Sequence, residues 1–69
     1  MQSILSDLEH HLLRGAVDTA RILGVSYSNY AAMKTGSRPV PAYISGHVEA
    51  LMVLPAAELN EIIRKRLDG

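Results

Sequence analysis

Apolar residues recur along this chain at three- and four-residue intervals, and the rhythm breaks at Gly15, Gly24, the Gly36–Pro41 stretch and Pro55. Intervals of that length place side chains on one face of a helix. In "SILSDLEHHLLR" the apolar positions are Ile4, Leu8 and Leu12, with Leu5 widening the stripe. Ser3 can cap this first helix, and Ser6 and Asp7 suit its first turn. Gly15 is expected to break it. "AVDTARIL" then reads as a short second helix with Val17, Ala20 and Leu23 on one side, and Gly24 is suited to the left-handed conformation of a helix stop. Ser26 is a good N-cap for a third helix, "YSNYAAMKT", which Gly36 closes.

"SRPVP" follows as a stiff loop, because both prolines fix φ and restrict the residue before them. Pro41 suits the first turn of a fourth helix, "AYISGHVEALMVL", with Ile44, Val48, Leu51 and Met52 as its apolar face. Pro55 opens a fifth, "PAAELNEIIRKRL", which carries Leu59, Ile62, Ile63 and Leu67. Its last turn holds Arg64, Lys65 and Arg66, which complement the helix dipole. No strand, repeat or low-complexity tract is visible, so the expected fold is all-α, a compact five-helix domain.

The junction between the second and third helices is the most constrained part of the pattern. Two helices joined by a short glycine turn cross steeply, and that demands particular residue sizes. Ala20, four before Gly24, leaves room for the following helix, and Val25 fills the turn. Tyr30 and Met33 point from the third helix back onto Leu23 and the core. Small at Ala20, glycine at Gly24, and apolar at Leu23, Val25, Tyr30 and Met33 is the spacing of a DNA-binding helix-turn-helix. A helical hairpin that never meets DNA can satisfy the same spacing.

"TARILGVSYSNYAAMKTG" resembles the helix-turn-helix of the Cro/repressor-type (XRE-like) phage regulators, over roughly residues 16 to 44. The continuation "TGSRPVPAYISGHVEALMVL" is similar to the anti-CRISPR-associated repressors, in which an arginine–proline pair precedes a helix with an early tyrosine. The resemblance implies a lambda-repressor-like domain spanning residues 1 to 69. It also implies a partner, double-stranded DNA with a pseudo-palindromic operator, bound by a homodimer that obstructs transcription at a promoter, often its own.

If the third helix enters a major groove, its N-terminal residues and outward face meet base edges. With Tyr30 and Met33 turned inward, Tyr27, Ser28, Asn29, Ala31, Ala32 and Thr35 remain on the groove side. The resemblance implies that the positions of Tyr27, Ser28 and Ala32 face bases. Ser28 can hydrogen-bond several base edges, Ala32 can touch a thymine methyl, and Asn29 has the groups for a bidentate pair with adenine. Tyr27 can pack on a sugar or methyl and donate to phosphate. The helix has no arginine, so the commonest guanine contact falls to Arg38, which reads a base, binds phosphate or is simply a solvated loop residue. Lys34, Thr35, Ser37 and the free amides of Ala42 and Tyr43 at a helix start are candidate phosphate donors. Arg14 either grips the opposite strand or has an exposed structural role, and Arg21 reads as a solvated helix residue. The whole set can also be an ordinary solvated face.

Composition tempers this picture. Formal net charge is zero, which at first argues against nucleic acid, but the charges are unevenly spread. Residues 1 to 18 hold Arg14 against Asp7, Glu9 and Asp18, a net −2. Residues 19 to 48 hold Arg21, Lys34 and Arg38 and no acid, a net +3. Residues 49 to 69 hold Arg64, Lys65 and Arg66 against Glu49, Glu58, Glu61 and Asp68, a net −1. A localised positive block is what phosphate attraction requires.

The chain has 69 residues and no cysteine, so disulfides and thiolate metal sites are excluded and a reducing compartment fits. No apolar run approaches the roughly 20 residues that span a bilayer, and no signal peptide is visible, so a cytoplasmic protein is expected. His10 and His11 diverge by about 100° on a helix and cannot share one metal. No phosphate-binding glycine loop or catalytic constellation stands out, so neither a cofactor nor an enzymatic activity is expected.

A domain this small buries only about 60% of its unfolded surface, so a partner subunit would help. Leu54, Leu59, Ile62, Ile63 and Leu67 make the fifth helix, about residues 55 to 67, the expected dimer interface, with core packing as the competing use of these side chains. Two-fold pairing would set two recognition helices about 34 Å apart, one DNA turn. The expected function is a dimeric, sequence-specific repressor. The alternative is a helical protein-interaction module, an antitoxin or adaptor, that shares the fold without reading DNA.

Overall fold

The computed structural model describes residues 3–68, which form five helices and no strand. They are α1 (Ile4–Leu12), α2 (Ala16–Leu23), α3 (Tyr27–Thr35), α4 (Ala42–Val53) and α5 (Ala56–Asp68). The local signals for their ends act as expected. The Ser3 hydroxyl accepts from the Ser6 amide and the Ser26 hydroxyl from the Asn29 amide, each satisfying one of the amides that a helix start leaves unpaired. Gly24 and Gly36 close α2 and α3 in the left-handed conformation, at φ 78° and 89°. Pro41 caps α4 from outside, and its carbonyl accepts from the amides of Ile44 and Ser45.

One stop differs from the sequence expectation. Leu13, not Gly15, turns the chain out of α1, with a left-handed φ of 56°. The Leu13 and Arg14 amides donate to the carbonyls of His10 and Glu9, which closes the last turn of the helix. Gly15 instead sits before α2 in an extended conformation and offers its carbonyl to the Thr19 hydroxyl at 2.8 Å. That bond explains how a threonine becomes fully buried in the core.

Helix α2 lies at the centre and packs against all four others, while α1 also packs on α3 and α4. Tyr30, Leu5, Leu8, Ile22, Ile44 and Thr19 are the largest fully buried side chains. Met33, Val48, Leu51, Leu59 and Ile63 complete the core around them, with Val25 and Val40 packed at its edge. The apolar stripes are rotated slightly from those the spacing suggests. Ile4, Val17 and Met52 emerge exposed, while Leu5, Ile22 and Leu51 face inward. No helix among the described residues is long and apolar enough to cross a membrane.

Two reciprocal bonds tie the C-terminal ends of α2 and α5 together. Arg66 donates to the carbonyl of Ile22, and Arg21 donates to the carbonyl of Leu67 at 2.8 Å. Each arginine therefore satisfies a carbonyl that the other helix's end leaves without an internal partner. Arg21 is exposed, as its position suggested, and also bridges the two helices through this bond. Arg66 also donates to Nε2 of His47 at 3.0 Å. A guanidinium only donates, so this ring nitrogen carries a lone pair. Burial, then the Arg66 charge, holds the His47 pKa below its ordinary value.

Candidate nucleic-acid interface

Helix α3 divides cleanly into two faces. Tyr30 and Met33 are buried, whereas Tyr27, Ser28, Asn29 and Thr35 are exposed and Ala31 and Ala32 are half-buried. The three residues between α2 and α3, Gly24 to Ser26, turn the chain sharply. The Gly24 and Val25 amides both donate to the Ala20 carbonyl, at 3.0 and 3.1 Å. Val25 then packs against the core edge, so the turn is held by backbone bonds and one apolar anchor.

What fixes the roll of α3 is a network the sequence pattern does not announce. Tyr30 sends its hydroxyl proton to the Glu9 carboxylate on α1, with the Leu5 carbonyl 3.4 Å from the same oxygen. Lys34, one turn further along α3, places its ammonium 2.9 Å from both Glu9 oxygens. Burial would push the Glu9 pKa up, but the hydrogen bonds from Tyr30 and Lys34 and the lysine charge outweigh it, leaving the carboxyl below its usual value. Burial, then the Glu9 carboxylate, pushes the Tyr30 phenol well above its ordinary value. Two residues of α3 are thereby pinned to one carboxylate of α1.

This pairing changes the charge picture. Lys34, expected as a phosphate donor, has its charge matched by Glu9. Arg14 lies 3.8 Å from Asp18 in an exposed pair just before and within α2, a contact weak enough to open for another anion. Arg38 differs from both. Its amide donates to the Ala32 carbonyl at 3.1 Å, and its guanidinium donates to Oδ1 of Asn29 at 3.0 Å. Of the three cations in residues 19–48, it is the one with neither an acid nor a distant helix as partner among the described residues.

The other expected donors cluster at the same end of α3. The Thr35 and Ser37 hydroxyls lie 3.3 Å apart, and Thr35 also donates to the Ala32 carbonyl. Ala42 and Tyr43 are exposed at the start of α4, where no side chain caps the helix. Tyr27 lies on an open groove of about 480 Å³ that it shares with Ser3, Ser6, Lys34 and Thr35. The structure thus brings Asn29, Arg38 and Tyr43 to one groove and Thr35 to Ser37, whereas Arg14 lines a separate groove with Asn60 and Arg64 of α5.

Helix α5 is largely consumed by the protomer's own core. Leu59 and Ile63 are buried there, and Leu54, Ile62 and Leu67 are half-buried against it. Of the residues expected at a dimer interface, Leu59 and Ile63 are thus taken up by packing of α5 on α2, and Leu54, just before α5, Ile62 and Leu67 keep partial exposure. Exposed aliphatic side chains lie elsewhere: Leu13 and Val17 near the start of α2, and Ile4, Met52 and Val53, which border one groove with the acids Asp7 and Glu49. Among the described residues no three histidines or carboxylates converge as a metal site. No protein-family model, curated protein or solved structure matches this chain at a significant level.

Proposed function

We propose that this protein is a sequence-specific, double-stranded DNA-binding regulator that acts as a dimeric repressor on an inverted-repeat operator. The observation that carries the reading is the two-faced α3 behind its glycine turn. Buried Tyr30 and Met33 anchor a helix whose other side is exposed, small and polar. Such a helix fits a major groove, which accepts one helix and offers hydrogen-bonding base edges. Thr35, Ser37 and the uncapped start of α4 supply donors beside it for the phosphate backbone, and Arg38 adds a cation at the same edge. The dimer belongs to the proposal, and the apolar side chains free to form it are Ile4, Met52 and Val53 with the half-buried Leu54, Ile62 and Leu67. Occupation of a promoter by such a dimer would exclude the transcription machinery by bulk.

A second reading, a helical protein-interaction module, draws on two observations: Lys34 is matched by Glu9, and the Ile4–Met52–Val53 surface is apolar and exposed. The two readings separate in one experiment. The purified protein is used to select fragments from a random DNA pool, and the selected DNA is then titrated at increasing salt. The regulator reading expects an enriched inverted repeat and affinity that falls steeply with salt, since bound phosphates release counterions. A pool with no enriched sequence would sink it.

A further inference from the structure

Resting on the DNA-binding reading, we infer that Asn29 and Arg38 act as one composite unit that reads a guanine, with Asn29 positioning the arginine and not reading an adenine itself. The argument begins with the direction of their hydrogen bond. A guanidinium has five N–H donors and no acceptor, so the Asn29 atom it meets at 3.0 Å must be the amide oxygen. Adenine recognition by asparagine needs that oxygen to accept from N6 while the amide nitrogen donates to N7. That oxygen has two lone pairs, and the bond commits one of them to Arg38, so the amide is turned to serve the arginine and keeps one acceptor site beside its two N–H donors.

The pair therefore presents mainly N–H groups: the Asn29 amide nitrogen and the remaining edge of the guanidinium. A donor-rich surface best matches a base that shows only acceptors. In the major groove that base is guanine, through O6 and N7, and bidentate arginine is its commonest partner. Thymine O4 and adenine N7 offer single acceptors and fit the fork less well.

Arg38 is also held more firmly than a phosphate-seeking side chain needs to be. Its backbone amide is bonded to Ala32, its side chain is bonded to Asn29, and Pro39 and Pro41 stiffen the chain that follows. Asn29 lies on the exposed face of α3, so its bond draws the guanidinium from the loop toward the helix's reading surface. A phosphate anchor gains little from such preorganisation, whereas a bidentate base contact depends on it. The loop residue thus supplies the arginine that α3 lacks.

The test compares wild type with Asn29→Ala, Arg38→Ala, Arg38→Lys and the double alanine variant, on the operator selected from the random pool. All four changes are at exposed positions, and thermal melts verify folding. The expected result is one guanine per half-site whose preference Arg38→Ala lowers about 10–100-fold. Asn29→Ala should weaken preference at that same guanine, and the double variant should match Arg38→Ala alone. Arg38→Lys should not restore it, because an ammonium lacks the fork. Replacing that guanine with 7-deazaguanine should weaken wild type and leave Arg38→Ala unaffected. The inference is overturned if Arg38→Ala weakens all sequences equally and reduces the salt slope by about one unit, the mark of a phosphate contact. It is equally overturned if Asn29→Ala relaxes an adenine position. In both cases an operator has been selected and the regulator reading stands, whereas wild type that selects no sequence defeats both.

Discussion

Replacing Glu9 with alanine removes the carboxylate that joins α1 to two residues of α3. Its cost follows from the two contacts. Tyr30 is fully buried and donates to a charged oxygen, and a hydrogen bond to a charged group contributes about 1.5–3 kcal/mol. The Lys34 ammonium is a third exposed, so its ion pair adds at most ~1 kcal/mol. The Leu5 carbonyl, 3.4 Å from the Tyr30 oxygen, can recover part of the loss. A net destabilisation of about 2 kcal/mol is expected, which lowers Tm by about 8–16 °C in a domain of this size.

The assay is urea and thermal unfolding of Glu9→Ala, Tyr30→Phe and the double variant. Because the two side chains share one bond, their costs should fall short of additivity by at least ~1 kcal/mol. Acid supplies an independent check. The Glu9 pKa is depressed in the fold, so its contribution is present above the ordinary value of 4.5 and is lost as pH falls through the folded value. Wild type should therefore lose more stability than Glu9→Ala between about pH 5 and 3. A Glu9→Ala cost under ~0.5 kcal/mol, or additive costs with Tyr30→Phe, would refute the reasoning.

Three other changes have clear expectations. Leu13→Gly should raise stability by about 1 kcal/mol in urea melts, because Leu13 is 88% exposed and holds a left-handed φ that glycine adopts without cost; a loss would show that its side chain packs usefully. Arg66→Ala should cost about 1–2 kcal/mol by leaving the Ile22 carbonyl unpaired, and an unchanged Tm would count against the clamp. The His47 pKa is lowered, so below its ordinary value of 6.5 the unfolded chain takes up a proton that the folded chain resists. Stability should then fall as pH drops from 6.5, and His47→Gln should flatten that slope; equal slopes would discount the Arg66–His47 contact.

The elements were legible because their boundaries are local. Ser3, Ser26, Gly24 and Pro41 each act on amides or carbonyls within a turn of themselves, and the sequence shows that neighbourhood directly. The inward placement of Tyr30 and Met33 was legible for the same reason, since a glycine turn allows few ways to seat the next helix. Stripe edges were less so. Ile4 and Leu5 differ by 100° around α1, and a periodic pattern says how wide the apolar face is but not which edge meets the core. Leu13 makes the helix stop, and Gly15, two positions on, is the N-cap of α2 and accepts from Thr19.

The charge of the candidate surface was the part the sequence hid. Counting acids and bases by blocks treated residues 19–48 as isolated, yet Glu9 reaches Lys34 from 25 positions away. No local pattern marks such a pair. The same applies to α5, whose apolar residues looked surplus until α2 proved to be the helix they cover.

The clamp between α2 and α5 also has a consequence in time. The Ile22 carbonyl waits for an arginine 44 positions downstream, so at ~5–20 residues per second of synthesis its partner arrives about 2–9 s later. Until then the end of α2, immediately before the turn into α3, lacks its final tie. The segment that would read DNA lies mid-chain but is completed near the last, so a nascent chain halted after α4 should hold α3 without its finished support.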